Sequence, residues 1–156
     1  MFIALRGAFV DRHHDAMPVK EPTNAQKHQG GRHLVLAEAL LRGLSSQLRG
    51  AATYVEVGGH VAQVMVAAQG AWMIADIDAT TALTCERVIL VDVTDGRRDF
   101  YVAEGPAFRA GVRARHEAFL QQQGGTRPRN PDSKHTAVRP KDVAEWRDRW
   151  DLLQQA

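Results

Sequence analysis

Two sets of side chains in this chain have the types and spacing for chemistry. In a strand, side chains alternate with period two, so Tyr54, Glu56, Val61, Gln63 and Met65 would share one face of a hairpin. That face mixes a carboxylate, an amide and a phenol with apolar groups, and any chemistry in the sheet belongs there. Asp76 and Asp78 also alternate, so their carboxylates point the same way and could hold a divalent cation, or could cap the Thr-rich turn that follows. The second set is cationic. Between Arg109 and Arg139 lie seven Lys/Arg (Arg109, Arg113, Arg115, Arg127, Arg129, Lys134 and Arg139) against two acids, Glu117 and Asp132. Such an excess suits an anionic partner, or simply a soluble surface. Cys85 is either a nucleophile or a small buried residue. His13, His14 and His28 could take up metal adventitiously or belong to a solvated tail.

These groups depend on a hairpin. Two runs rich in β-branched residues flank Gly58-Gly59, a pair suited to the positive φ angles of a two-residue primed turn. That loop sets Tyr54 against Gln63, Val55 against Ala62, Glu56 against Val61 and Val57 against His60. Val55, Val57, Ala62, Val64 and Val66 then form the opposite, core face. Upstream, a helix is predicted from about Arg32 to Arg42, with a stripe of Leu34, Ala37, Leu41, Leu44 and Leu48 and a stop at Gly43. Glu38 borders that stripe, either exposed or leaning over the sheet edge towards the mixed face. Downstream, Trp72–Ile77 reads as a strand, Val88–Val93 as a central strand and Asp99–Val102 as its partner. Pro106 opens a helix to about Gln123 in which Phe108, Val112, Phe119 and Leu120 share a face and Arg109 and Arg113 lie four apart. Pro140 starts a last helix with Val143, Trp146, Trp150 and Leu153 as a packing stripe.

The 156 residues suit one domain with a proper core, and 44% hydrophobic with 24% charged residues is ordinary for a globular protein. One cysteine excludes a disulfide framework and a multi-cysteine zinc site, which fits a reducing cytoplasm. Residues 1–29 read as a flexible tail preceding a domain over residues 30–156, with Gly30-Gly31 as the break. The tail is neither a signal peptide nor a membrane span, and Met17 is a plausible alternative start. The order of elements predicts an α/β or α+β single domain.

Several segments carry a resemblance: G-R-H-L-V-L-A-E-A-L-L-R-G at Gly31–Gly43, A-Q-V-M-V at Ala62–Val66, V-I-L-V-D-V followed by D-F-Y-V, and the tail R-P-R-N-P-D-S-K-H-T-A-V with E-W-R-D-R-W-D-L-L. From about Gly31 to Leu153 the chain resembles small actinobacterial-type proteins related to nucleases of the PD-(D/E)xK, restriction-endonuclease-like superfamily. The resemblance implies a restriction-endonuclease-like α/β fold with a mixed central sheet of about four to five strands flanked by helices. In active members a helix glutamate, a strand aspartate and a (D/E/Q)-x-K motif hold a divalent metal and a water against the scissile phosphate.

Carried over by position, Glu38 matches the helix glutamate and Gln63 the second-strand ligand. Met65 falls in the lysine slot and Tyr54 in the aspartate slot. A thioether carries neither charge nor a donor. Glu56, on the same face, is the candidate substitute, making Glu56 and Gln63 the candidate metal ligands for magnesium or manganese. The resulting expectation is a catalytically inactive, nucleic-acid-binding or interaction domain that needs no cofactor. Arg109, Arg113, Arg127, Arg129, Lys134 and Arg139 would contact the phosphates of DNA or RNA, with no membrane involvement. The alternatives are a divergent metal-dependent endonuclease and a structural domain that binds a protein partner or a second copy of itself.

Overall fold

The computed structural model describes residues 20–50, 53–78, 85–125, 129 and 133–154. Helix α1 (Asn24–Leu41) leads into a meander of β1 (Ser46–Leu48), β2 (Tyr54–Val57) and β3 (His60–Ala67). After β4 (Trp72–Ile74) come β5 (Arg87–Asp92), β6 (Asp99–Glu104), α2 (Gly105–Gln122) and β7 (Thr136–Val138). Short 3-10 turns at Pro140–Asp142, Ala144–Trp146 and Trp150–Leu153 follow. The main sheet has the order β1-β2-β3-β5-β6, antiparallel except where β3 runs parallel to β5, and β4 pairs with β7 in a second, two-stranded sheet. The chain is thus an α/β single domain with a mixed five-stranded sheet. Among the described residues no helix is long and apolar enough to cross a membrane.

Two cores lie on the two faces of the main sheet. On one, α1 contributes Val35 and Ala39 to a cluster with Val55, Val57, Ala62, Val64, Ile89 and Val91. On the other, Val88, Leu90, Tyr101 and Ala103 meet Phe108 and Val112 of α2, with Trp72 and Ile74 of β4 and Val138 of β7. β5 is buried from Val88 to Asp92, as its continuous apolar run predicts for a central strand that pairs in parallel. Pro106 sits in the first turn of α2, where its missing N–H costs nothing.

Three expectations change. The first helix does not begin after Gly30-Gly31 but at Asn24, six residues upstream of Gly30. Thr23 and Gln26 close a capping box there, each side chain bonding the other's backbone N–H. The helix therefore takes in His28 and runs through both glycines. Glycine costs a helix interior about 0.5–1 kcal/mol, but Gly31 is buried where a Cβ would lie 2.6 Å from a Val66 methyl group. Close approach of α1 to β3 needs a residue without a side chain. The buried stripe is accordingly Gly31, Val35 and Ala39, one phase away from the expected stripe, and Leu41 is 84% exposed.

Second, the strand predicted over Trp72–Ile77 ends at Ile74, and it pairs with β7 in the second sheet. Third, the segment after Pro140 is not one helix. Val143 and Trp146 pack on the α2 side of the sheet, whereas Trp150 and Leu153 pack on the α1 side. A helix would keep that stripe on one side. The chain instead turns around the edge strand β6, where Arg147 bridges to Tyr101, Asp148 N–H donates to Phe100 C=O at 3.0 Å, and Asp148 takes a φ of 53°. The apolar spacing was legible, but the segment serves to cover an edge.

Candidate nucleic-acid interface

The hairpin has the register that its Gly-Gly loop dictates: Tyr54 opposite Gln63, Val55 opposite Ala62, Glu56 opposite Val61 and Val57 opposite His60. Both loop glycines have positive φ. The ladder of β2 stops at Tyr54, while β3 runs on to Ala67. Along that overrun lies a cleft of about 420 Å³ lined by Gln63, Met65, Trp72 and Met73, with Asn24 and His28 from the start of α1. Gln63 is only 7% exposed, and its side-chain oxygen Oε1 is buried without a hydrogen-bond partner. Trp72 packs beside it and donates its indole N–H to the carbonyls of Met65 (3.1 Å) and Val91 (3.2 Å). Met65, in the position where the resemblance calls for lysine, packs against the apolar cluster beneath the cleft.

The two glutamates are elsewhere. Glu56 is held by Arg49, which reaches it from the turn after β1. Glu38 belongs to α1, which packs on the Val55/Val57 face and not on the face of Gln63 and Glu56. Its carboxylate accepts from Arg42 Nε at 2.9 Å. The same arginine reaches Asp148 at 3.6 Å and stacks over the Trp150 ring, 5.1 Å from its centre. Strand parity explains the separation, because Val55 and Val57 turn towards the helix and their neighbours must turn away. The structure therefore brings Gln63 and Met65 together and leaves Glu38 and Glu56 in separate ion pairs. Among the described residues, no three His, Cys, Asp or Glu side chains gather as a metal centre would require.

The cationic residues are more dispersed than their sequence density suggests. Arg113 and Lys134 converge on Asp78, at 3.0 Å and 2.7 Å. Arg115 pairs with Asp142 at 3.2 Å. Arg109 donates to the backbone carbonyl of Cys85 at 3.4 Å. Arg129 and Arg139 are exposed. Arg127 lies outside the described residues, as do His13, His14 and Met17. Asp76 does not join Asp78 in holding a cation: it accepts the N–H of Asp78 at 2.8 Å, closing a local turn. Flanked by its two cations, Asp78 has a pKa below the ordinary value of 3.8, chiefly through the Lys134 contact and then that of Arg113. Because this folded-state pKa is depressed, the pairing is fully present above the ordinary value and is lost as pH falls through the lowered one.

Cys85 is half-buried, and burial pushes its thiol pKa upward, which disfavours the thiolate a nucleophile needs. Trp150 is buried and Trp146 packs against Phe108, so both serve as packing. Sequence reasoning missed His116 as a core position. It is 5% exposed and continues the Phe108–Val112 line at i+4, which is the signal that could have placed it.

No family model and no curated protein matches the chain. Among solved structures, the bacterial homing endonuclease I-Ssp6803I matches with a TM-score of 0.50 and 12% identity, over 85% of this chain and 92% of that one. At that identity the likeness speaks to the fold alone. The chain has a nuclease-like α/β fold.

Proposed function

We propose that this chain is a nucleic-acid-binding domain on a nuclease-like fold, with a PD-(D/E)xK-type site that no longer cleaves. The observation that carries the reading is Gln63. Gln63 lines the cleft while its side-chain oxygen is buried without a partner, and among the described residues no Asp, Glu, Lys or Arg lines that cleft. On this reading Gln63 marks the second-strand position of a phosphodiesterase site, with Tyr54 and Met65 in its aspartate and lysine slots. The donor set does not fit magnesium or manganese. Gln63 offers one neutral oxygen, Glu56 is engaged by Arg49, and Glu38 is on the other side of the sheet, whereas such ions require about six oxygens, with carboxylates among them. Affinity for DNA or RNA comes instead from phosphate contacts on α2 and around β7, and the setting is a reducing cytoplasm.

The test is fluorescence anisotropy with short labelled DNA and RNA, alongside plasmid incubation with magnesium or manganese. The expected result is binding that weakens steeply between about 50 and 200 mM salt, with no cleavage. Metal-dependent nicking abolished by Glu56→Gln would instead establish a divergent endonuclease. Absent polyanion binding together with self-association would move the function to a protein interface at Leu41 and Leu48, which are exposed near the sheet edge at β1.

Gln63 supplies a second check. An unsatisfied buried amide oxygen costs about 1–3 kcal/mol, so Gln63→Met should leave stability unchanged or raise it by about 1–2 kcal/mol in urea unfolding. A large loss would show that the amide finds a partner in solution and is structural.

A further inference from the structure

We propose that Arg113, Lys134 and His116 form a binding site for one backbone phosphate of a nucleic-acid strand, and that the Asp78 carboxylate occupies the phosphate position in the free protein. The proposal rests on the nucleic-acid reading above and names the site through which it acts. Three remote segments supply the groups: the stretch after β4, the middle of α2, and the residues before β7. They are held in place because Ile77 N–H donates to Lys134 C=O at 3.0 Å, extending the β4–β7 pairing to the residue beside Asp78.

The geometry is that of an oxyanion clamp. Arg113 Nη2 holds Asp78 Oδ1 at 3.0 Å and Lys134 Nζ holds Oδ2 at 2.7 Å, so each carboxylate oxygen has its own cation. A phosphodiester presents two equivalent charged oxygens and one negative charge, so it can take over both contacts when the Asp78 carboxylate swings out into water. The side chains of Arg113 and Lys134 are each 54% exposed and that of Asp78 is 43% exposed. Ion pairs so open to water are weakly held and exchange readily.

A second, independent feature points to a ligand. Beside the clamp lies a cavity of about 320 Å³ with an apolar floor of Ile77 and Leu120 and with Ser133 at its rim. His116 lines it, is 95% buried, and has no hydrogen-bond partner at Nδ1. A buried ring nitrogen without a partner is costly, and none of the described residues satisfies it. A phosphate seated between Arg113 and Lys134 would lie in the cavity that the His116 ring lines, and a small rotation of that ring would offer it Nδ1, which is buried in the free protein.

The test uses the full chain and a short labelled single-stranded oligonucleotide. Asp78→Asn removes the internal competitor and should tighten binding about 3- to 10-fold. Asp95→Asn makes the same charge change at an exposed turn away from the site and should alter affinity less than about 2-fold. Arg113→Ala with Lys134→Ala should weaken binding about 10-fold and flatten the slope of log affinity against log salt by about 0.7, the value for one single-strand phosphate. Inorganic phosphate, titrated into the unmodified protein, should shift the imidazole NMR signals of His116 ahead of those of the other histidines. That measurement stands even if a variant fails to fold.

Equal effects of Asp78→Asn and Asp95→Asn, with His116 unmoved by phosphate, would overturn the site while oligonucleotide binding by the parent chain kept the wider reading alive. Phosphate shifting His116 in a protein that binds no oligonucleotide would support the anion site and overturn its assignment to nucleic acid.

Discussion

Trp72→Ala is expected to remove about 3–5 kcal/mol of stability, the range for deleting a large buried aromatic. Trp72 is 1% exposed and is the wedge between the two sheets. It stands edge-on to Tyr101 with ring centres 5.6 Å apart and planes at 78°. Its indole N–H is shared between carbonyls of β3 and β5, the parallel pair at the centre of the main sheet. The alanine variant loses the ring, its edge-to-face contact and a donor to two buried carbonyls. Against a total stability of about 5–15 kcal/mol for a domain, that is enough to leave a sizeable unfolded fraction. Urea unfolding followed by circular dichroism measures it. Trp72→Phe should recover part of the loss, because it restores ring volume without the N–H. A loss under about 1 kcal/mol for the alanine variant would mean that the second sheet is not anchored through this residue.

Gly58→Ala is expected to cost about 3 kcal/mol or more, through backbone and not side-chain chemistry. Gly58 has a φ of 58°, which an L-residue adopts only at a cost of about 1–2 kcal/mol. A Cβ there would also lie 1.8 Å from the carbonyl oxygen of Leu153, a backbone atom of the segment that seals the α1-side core. Either the hairpin loop or the last turn must move, and Leu153 is fully buried. Gly59 separates the two causes. It shares the positive φ, at 83°, but is exposed, so Gly59→Asn, which tolerates that region, should be nearly neutral. Thermal unfolding of both variants gives the comparison. Equal effects at the two positions would locate the cost in the turn itself and not in contact with Leu153.

Features that depend on neighbours in sequence were determined by the sequence itself. Gly58-Gly59 selects a two-residue turn, the turn sets the register, and the register with period-two alternation puts Tyr54 against Gln63 on one face and Val55 against Ala62 on the other. The apolar run of Val88–Val91 likewise requires a strand covered on both faces, and Pro106 opens α2 because φ is set within one residue. These are short-range constraints that no distant contact overrides.

What only the tertiary structure decided depends on which surfaces meet. The buried phase of α1 turns on Gly31, which counts as a core position only because Val66 closes against it. The stripe from Val143 to Leu153 is apolar at helical spacing, but the edge of β6 needed covering and the chain went around it. Glu38 falls on the wrong side of the sheet for Gln63 because the helix follows the apolar parity of β2 and β3, whichever residues would make a metal site. Asp78, Arg113, His116 and Lys134 span more than fifty residues of sequence. No local pattern relates them, since their meeting depends on β4 pairing with β7 beside α2. Local geometry is written in spacing, whereas convergence of charged groups depends on packing that no single segment encodes.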